Sequence, residues 1–262
     1  MVLLLDLGNT NLYVGVYQNG SLVSEYRTSS DIHKSSDEYR DIIRTFFILN
    51  NIDPKDFKGA ILTSVIPSLT QVLTRMVKKL LNVDCMVVGK SLKSGLSIRI
   101  DNPNELGTDL VADSVGGKSK YGYPLLITDM GTATKILVID KDGNFVGCVI
   151  APGIKVAMMA LTQKSAQLMD IDLVAPNKVI GKNSPDSLNS GSIYGNIAMI
   201  VGMNKMIEDE LGYPCKKVIT GGYSALLQEH LNKEFIYDPT LIFEGLYQIY
   251  LKNGGTIYAK YK

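Results

Sequence analysis

Two short segments of the chain combine residue types suited to holding phosphate. Asp6-Leu7-Gly8-Asn9-Thr10-Asn11 and Asp129-Met130-Gly131-Thr132-Ala133-Thr134 each follow an apolar run and read as Asp-x-Gly with small polar residues behind it. Glycine lets backbone N–H groups come close to a ligand, Asn and Thr add side-chain donors, and a carboxylate at a strand end can hold a hydrated divalent cation. A single segment of this kind would be an ordinary Asx turn. Its repetition favours a pair of phosphate-gripping loops, with Asp6 holding the cation.

A carboxylate that can act on a hydroxyl group stands elsewhere. Asn102-Pro103-Asn104-Glu105-Leu106-Gly107-Thr108-Asp109 places Asp109 at a helix start beside a Gly turn. Phosphoryl transfer to an alcohol needs a carboxylate to orient the hydroxyl and accept its proton, which makes Asp109 the candidate base. Read alone, an Asp there is a stabilising helix cap. Gly221-Gly222, after a buried strand, would admit a flat adenine or ribose, or simply make a turn. His33 and His230 lie in dissimilar surroundings and are assigned structural or surface duty. No Ser-His-Asp set, zinc spacing, Walker-type loop or dinucleotide fingerprint is present.

The elements that must position these residues come in duplicate. With the two Asp-x-Gly segments aligned, the apolar run Leu12 to Tyr17 falls on Lys135 to Asp140, and the turn Gln18-Asn19-Gly20 on Lys141-Asp142-Gly143. Each reads as the second strand of an antiparallel unit closed by a Gly turn, with third strands at Leu22 to Tyr26 and Phe145 to Ile150. Ser35-Ser36-Asp37-Glu38 is a capping-box helix start, and Pro67 opens a helix with an apolar stripe from Leu69 to Leu80. Ile61 to Val65 and Cys85 to Val88 read as short strands, Lys90 to Asn104 as a crossing loop, and Leu106 to Lys120 as a helix. In the second half, a helix follows Pro152-Gly153, Ser184 reads as an N-cap before Pro185, and Val218 to Thr220 is a strand. The residues from Glu229 onward read as the last helices. The order predicts an α/β protein of two duplicated lobes, residues 1–117 and 118–262, each a mixed sheet with flanking helices, and a cleft between them.

Composition excludes other classes. Lys and Arg number 27 against 26 Asp and Glu, a net charge of +1, so no sequence-wide footprint for nucleic acid or anionic lipid exists. Met1 to Leu5 is too short for a signal-peptide core, and no segment approaches a membrane span. Cys85, Cys148 and Cys215 are far apart and lack metal-ligand or redox spacing, which suits a reducing cytoplasm.

Taken in order, Asp6 to Asn11, Asp-Asn-Pro-x-Glu-x-Gly-x-Asp at Asp101 to Asp109, Asp129 to Thr134, Ala-Pro-Gly at Ala151 to Gly153, and Gly-Lys-Asn-Ser at Gly181 to Ser184 resemble the successive motifs of type III pantothenate kinases. The resemblance covers nearly the whole chain, to about Leu251. It implies the acetate and sugar kinase, Hsp70 and actin fold, built on ribonuclease-H-like lobes, in a cytoplasmic homodimer. It also implies phosphorylation of pantothenate to 4'-phosphopantothenate with ATP and Mg2+, the first step of coenzyme A synthesis. By motif, ATP phosphates fall on Asp6, Gly8, Asn9, Thr10, Asn11 and Thr132, and a monovalent cation, K+ or NH4+, on Asp129. From the residue types read above, Gly131, Gly221 and Gly222 join the ATP contacts and Mg2+ is associated with Asp6. Pantothenate falls on Ile100, Gly107, Thr108, Asp109, Leu110 and Ser184, with Asp109 as base.

Four positions depart from the family pattern. Leu110 stands where Arg follows the catalytic Asp, Ile100 where Tyr is common, Lys135 where Thr is usual, and Ser184 where Thr is usual. Loss of a charge-assisted contact near the reacting groups costs about two to four powers of ten in rate. Lys135 and Arg99 are the candidates for a replacement charge. An active pantothenate kinase is therefore ranked ahead of a non-catalytic paralogue that keeps the ATP site, and of a same-fold kinase for another small hydroxy acid or polyol.

Overall fold

The computed structural model describes residues 1–89, 91–164, 171–231 and 233–255. The chain divides into two compact units, the first comprising Met1–Leu96, Asp101–Lys120 and the segment from Ile242, the second Ser97–Ile100 and Tyr121–Leu241.

The first unit opens with three antiparallel strands, β1 (Val2–Leu7), β2 (Asn11–Gln18) and β3 (Ser21–Ser29). Helix α1 (Ser36–Leu49), strand β4 (Gly59–Ser64), helix α2 (Pro67–Leu81) and strand β5 (Cys85–Val87) follow, giving a sheet ordered β3-β2-β1-β4-β5 with β4 and β5 parallel to β1. Strand β1 is almost wholly buried, as a strand covered on both faces must be, so it reads as a continuous apolar run. Leu3, Leu5 and Leu7 pack with Tyr39, Ile43 and Phe47 of α1 and Leu69, Leu73 and Met76 of α2. Helix α1 carries the expected capping box, with Ser35 accepting from the Glu38 N–H and the Glu38 carboxylate accepting from the Ser35 N–H.

The second unit repeats the plan. Strands β7 (Leu125–Met130), β8 (Ala133–Ile139) and β9 (Asn144–Pro152) are antiparallel, and β10 (Lys216–Thr220) and β11 (Phe235–Tyr237) run parallel to β7. A short strand β6 (Ser97–Ile98) adds a parallel edge to β9, giving the order β11-β10-β7-β8-β9-β6. Both sheets are mixed, with the same strand order apart from that edge. Helices α4 (Ile154–Lys164) and α5 (Ser184–Leu211) lie in this unit. Residues of α5 cover the face of β7 that carries Leu126 and Met130.

Three local readings change. The stretch read as an unbroken loop from Lys90 to Asn104 contains β6 and a helical turn at Pro103–Glu105. Strand β11 interrupts the region read as purely helical after Glu229. The N-cap of α5 is Asn183 rather than Ser184, because the Asn183 side-chain oxygen reaches the Asp186 N–H at 2.8 Å and leaves Ser184 and Pro185 as the first two helical residues.

Helix α3 (Thr108–Tyr121) and the last helix, α6 (Leu241–Lys252), cover the other face of the first sheet. The Phe243 ring stacks at 4.4 Å from Tyr13 and fills the space over Gly15, where a Cβ would stand 2.9 Å from the ring. Tyr247 packs on Tyr17 at 4.9 Å, and Tyr250 lies over Gly59. Gly245 lets α6 press against the Ala112 carbonyl of α3 so closely that a Cβ there would overlap it. Glycine to alanine in a helix ordinarily stabilises by about 0.5–1 kcal/mol. Here Gly245→Ala is expected to reverse that sign and cost about 1–3 kcal/mol through overpacking. Thermal melts followed by circular dichroism check it, and a Tm at or above wild type would refute the tight α3–α6 contact.

Burial pushes the Cys85 thiol from its ordinary 9.0 up to about 12, and burial together with the Glu208 charge takes Cys215 up to about 11. The thiolate is the reactive form. Cys148, the exposed cysteine, is expected to react first with an aromatic disulfide at pH 8, and Cys85 only on unfolding. Because the folded Cys85 pKa lies above the unfolded one, its contribution to stability is complete below pH 9.0 and is lost as the pH climbs toward about 12. Urea midpoints at pH 8 and pH 10.5 should therefore fall less in Cys85→Ala than in wild type, and an equal fall would remove this assignment.

Candidate active site

In the first unit, chain order and pairing bring Asp6 and Asp109 to the same end of the sheet. Asp6 lies at the end of β1 and faces Thr63 of β4 in the parallel register. Thr63 is fully buried, and its hydroxyl donates to the Thr108 hydroxyl at 2.7 Å. The Thr108 hydroxyl in turn donates to the Ser64 carbonyl at 3.3 Å. The first turn of α3 is thereby tied to the strand beside Asp6. Asp109 is half-buried, and its Oδ1 folds back over Gly107, where a Cβ would stand 2.5 Å from it. A Cβ at Gly107 would therefore displace the Asp109 carboxylate from this position.

Gly8 closes its loop by donating its N–H to the Asn11 carbonyl at 3.0 Å. Ser30 braces the loop, its hydroxyl donating to the Gly8 carbonyl at 2.7 Å and its N–H to the Thr10 carbonyl at 2.9 Å. The Gly8 amide thus serves the loop, while Asn9, Thr10 and Asn11 are exposed. Leu110, by contrast, is buried at 7 % exposure, so its side chain belongs to the core of this unit.

In the second unit the equivalent loop is tighter. Leu7 pairs with Leu12 across the first loop, whereas Met130 pairs with Thr134 across the second, one residue fewer. That difference turns the following strand over relative to the first repeat. Asp6 faces Tyr13, whose hydroxyl donates to Glu25 at 2.6 Å, but Asp129 faces Lys135, and Lys135 Nζ lies 2.9 Å from Asp129 Oδ2. Gly131 donates its N–H to the Ala133 carbonyl and Gly153 to the Thr132 carbonyl, and Thr132 is exposed. Gly221 adopts φ 93°, and a Cβ there would stand 2.5 Å from both Asp129 Oδ1 and the Met130 nitrogen. The strand-ending glycine is therefore part of the Asp129 surroundings, and Gly222 beside it is exposed.

Ser184 is exposed at the start of α5, in a shallow depression lined by Gly181, Lys182, Asn183, Ser187 and Leu188. Ile100 is half-buried at the end of the β6 segment. Of the two candidate replacement charges, Lys135 stands at the loop. Arg99 acts on Asp140, at the far end of β8 from that loop.

Sequence reasoning missed Thr63 as a positioning residue, although a threonine inside the apolar run Ile61 to Val65 was a visible signal. It also missed Asp113, one turn beyond Asp109 on α3 and buried at 3 % exposure. Among the described residues no group of three or more His, Cys, Asp or Glu is placed to hold a metal by itself. Mg2+ does not require one, since it commonly binds through one or two carboxylates plus phosphate and water. No helix among the described residues is long and apolar enough to cross a membrane.

Several solved structures are similar to this chain. One is a protein from Campylobacter jejuni described as a conserved Baf family transcriptional activator, 20% identical over 96% of this chain and 98% of that one, with TM-score 0.58. Another is a protein from Sinorhizobium meliloti assigned as a 2-dehydro-3-deoxygalactonokinase, 9% identical over 100% of both chains, with TM-score 0.60. A third is the activator of the 2-hydroxyisocaproyl-CoA dehydratase from Clostridium difficile with bound ADPNP, 12% identical over 96% and 93% of the two chains, with TM-score 0.51. At such identities the likeness establishes the fold alone, that of actin-like ATPases and sugar kinases. The sequence evidence reaches further: the pattern of type III pantothenate kinase matches residues 2–206, more than three quarters of the chain. That match takes in both Asp-x-Gly loops and the helix bearing Asp109, and the chain belongs to the type III pantothenate kinase family.

Proposed function

We propose that this kinase transfers the γ-phosphoryl group of ATP to the primary hydroxyl of pantothenate, giving 4'-phosphopantothenate. The observation that carries the reading is the link from Asp6 through Thr63 to the first turn of α3, which holds Asp109 in one frame with a phosphate loop. In this reading Asp109 orients the acceptor hydroxyl and takes its proton as the O–P bond forms. Asp6 holds the Mg2+ that accompanies ATP, and Asn9, Thr10 and Asn11 present donors to phosphate oxygens. Gly131, Thr132, Gly221 and Gly222 are the nucleotide contacts of this reading on the second loop and the strand end beside it, and a solved structure of the same fold holds ADPNP. Bound Mg2+ supplies charge neutralisation of the transferring phosphate.

Gly107, Thr108, Ile100 and Ser184 complete the acceptor contacts in this proposal. Leu110 contributes packing rather than charge, since its side chain is buried. A monovalent cation at Asp129, which the family implies, stays outside this mechanism because Lys135 already pairs with that carboxylate. A cytoplasmic homodimer belongs to the same reading. The Ile100 departure and the buried Leu110 favour a second reading for the acceptor alone, a different small hydroxy acid or polyol.

Purified protein with Mg·ATP is expected to make phosphopantothenate, and Asp109→Asn to lower kcat by about 10²–10⁴-fold with ATP affinity retained. Turnover of pantothenate undiminished in Asp109→Asn would overturn the base assignment. Transfer to another acceptor in a substrate panel would select the second reading, and ATP binding without transfer to any acceptor would mark a non-catalytic protein. Thr63→Val, which deletes the hydroxyl holding Thr108, is expected to cost about 1 kcal/mol in urea unfolding. It should also lower kcat more than it weakens ATP binding, whereas unchanged kinetics would show that the α3 tether is structural only.

A further inference from the structure

The family resemblance assigns an exchangeable monovalent cation to Asp129, and the local geometry disagrees. Lys135 Nζ stands 2.9 Å from Asp129 Oδ2, and the two side chains are only 17% and 14% exposed. They face each other directly in the β7–β8 register. The other carboxylate oxygen is backed by Gly221, where a Cβ would come within 2.5 Å of Oδ1, and a Cβ at Gly131 would stand 3.9 Å from each oxygen. The carboxylate is thus enclosed by loop backbone, a strand-end glycine and an ammonium group. A second cation at this carboxylate would share it with a like charge at hydrogen-bond distance in a site largely shielded from water, where repulsion is poorly screened. The residues do not fit an additional monovalent cation.

We propose that the Lys135 ammonium takes the place of that cation, so that nucleotide binding does not depend on potassium. NH4+ is itself among the ions the resemblance implies, and Lys135 supplies an ammonium of the same charge, tethered to β8 so that it is never diluted away. Its position follows from the second hairpin being one residue tighter than the first: with the first repeat's register, residue 135 would lie on the other face, as Leu12 does in the apolar core. The role of this charge toward ATP rests on the nucleotide reading above. The occupation of the cation position rests on the ion pair alone.

The test separates the two. Thallium-205 NMR of nucleotide-free protein reads monovalent-cation binding directly, and fluorescence of a mant-ATP probe with Mg2+ reads nucleotide affinity in potassium against tetramethylammonium at equal ionic strength. Wild type is expected to show no Tl+ binding that potassium displaces and no change in probe affinity between the salts. Lys135→Thr is expected to gain Tl+ binding that potassium displaces, and a potassium enhancement of probe affinity of about 5-fold or more, in the range of ordinary site coupling. Lys135→Gln, which keeps a polar side chain one atom shorter and loses the charge, serves as the second variant. Potassium-displaceable Tl+ binding by wild type that Asp129→Asn removes would overturn the proposal, as would its absence from both Lys135 variants. Failure of the probe to bind in either salt would count against the kinase reading while leaving the thallium result to decide this one.

Discussion

The parallel pairing of β1 with β4 is the constraint on which the arrangement of the first unit's candidate site depends. It sets Thr63 beside Asp6 at the end of the sheet, and the Thr63 hydroxyl then fixes the first turn of α3 through Thr108. A buried hydroxyl without a partner is costly, so the Thr63–Thr108 bond satisfies a local need and positions Asp109 at the same time. The register holds because every alternate β1 residue is committed to one of two covered faces, and a slip of one residue would exchange them all.

The covering of the second face explains why small residues recur far from any loop. Gly15 and Gly59 receive Phe243 and Tyr250, and Gly245 admits α6 against Ala112 of α3. These glycines stand in strands and a helix, where they weaken local structure, and their value is the close approach they permit. The helix carrying Asp109 is therefore held from two sides, by hydrogen bonds at its first turn and by α6 packing along its middle.

Duplication supplied two similar loops, and a change of one residue in loop length gave them different electrostatics. In the first, the strand-end carboxylate faces Tyr13; in the second, it faces Lys135. A sheet has a side-chain period of two, so shortening a hairpin by one residue moves a charge from one face to the other. The backbone plan is preserved and the local charge is not.

Much of this protein was legible in its residues alone. The two Asp-x-Gly segments, the Gly turns that follow them, the capping box at Ser35 and the proline at Pro67 act through local sterics and hydrogen bonds, so short-range pattern suffices to read the duplicated strands and helices. The order of motifs was enough to recognise the kinase family. Where α6 packs, that the Leu110 side chain is buried, and that Thr63 anchors α3 were decided by contacts between segments distant in sequence, which no local pattern records. The Asp129–Lys135 pair is the sharpest instance. Aligning the repeats by sequence sets Lys135 beside Leu12, a core residue, and only the paired register of β7 and β8 shows the ammonium against the carboxylate, because hydrogen bonding between strands, not sequence spacing, determines which face a residue occupies.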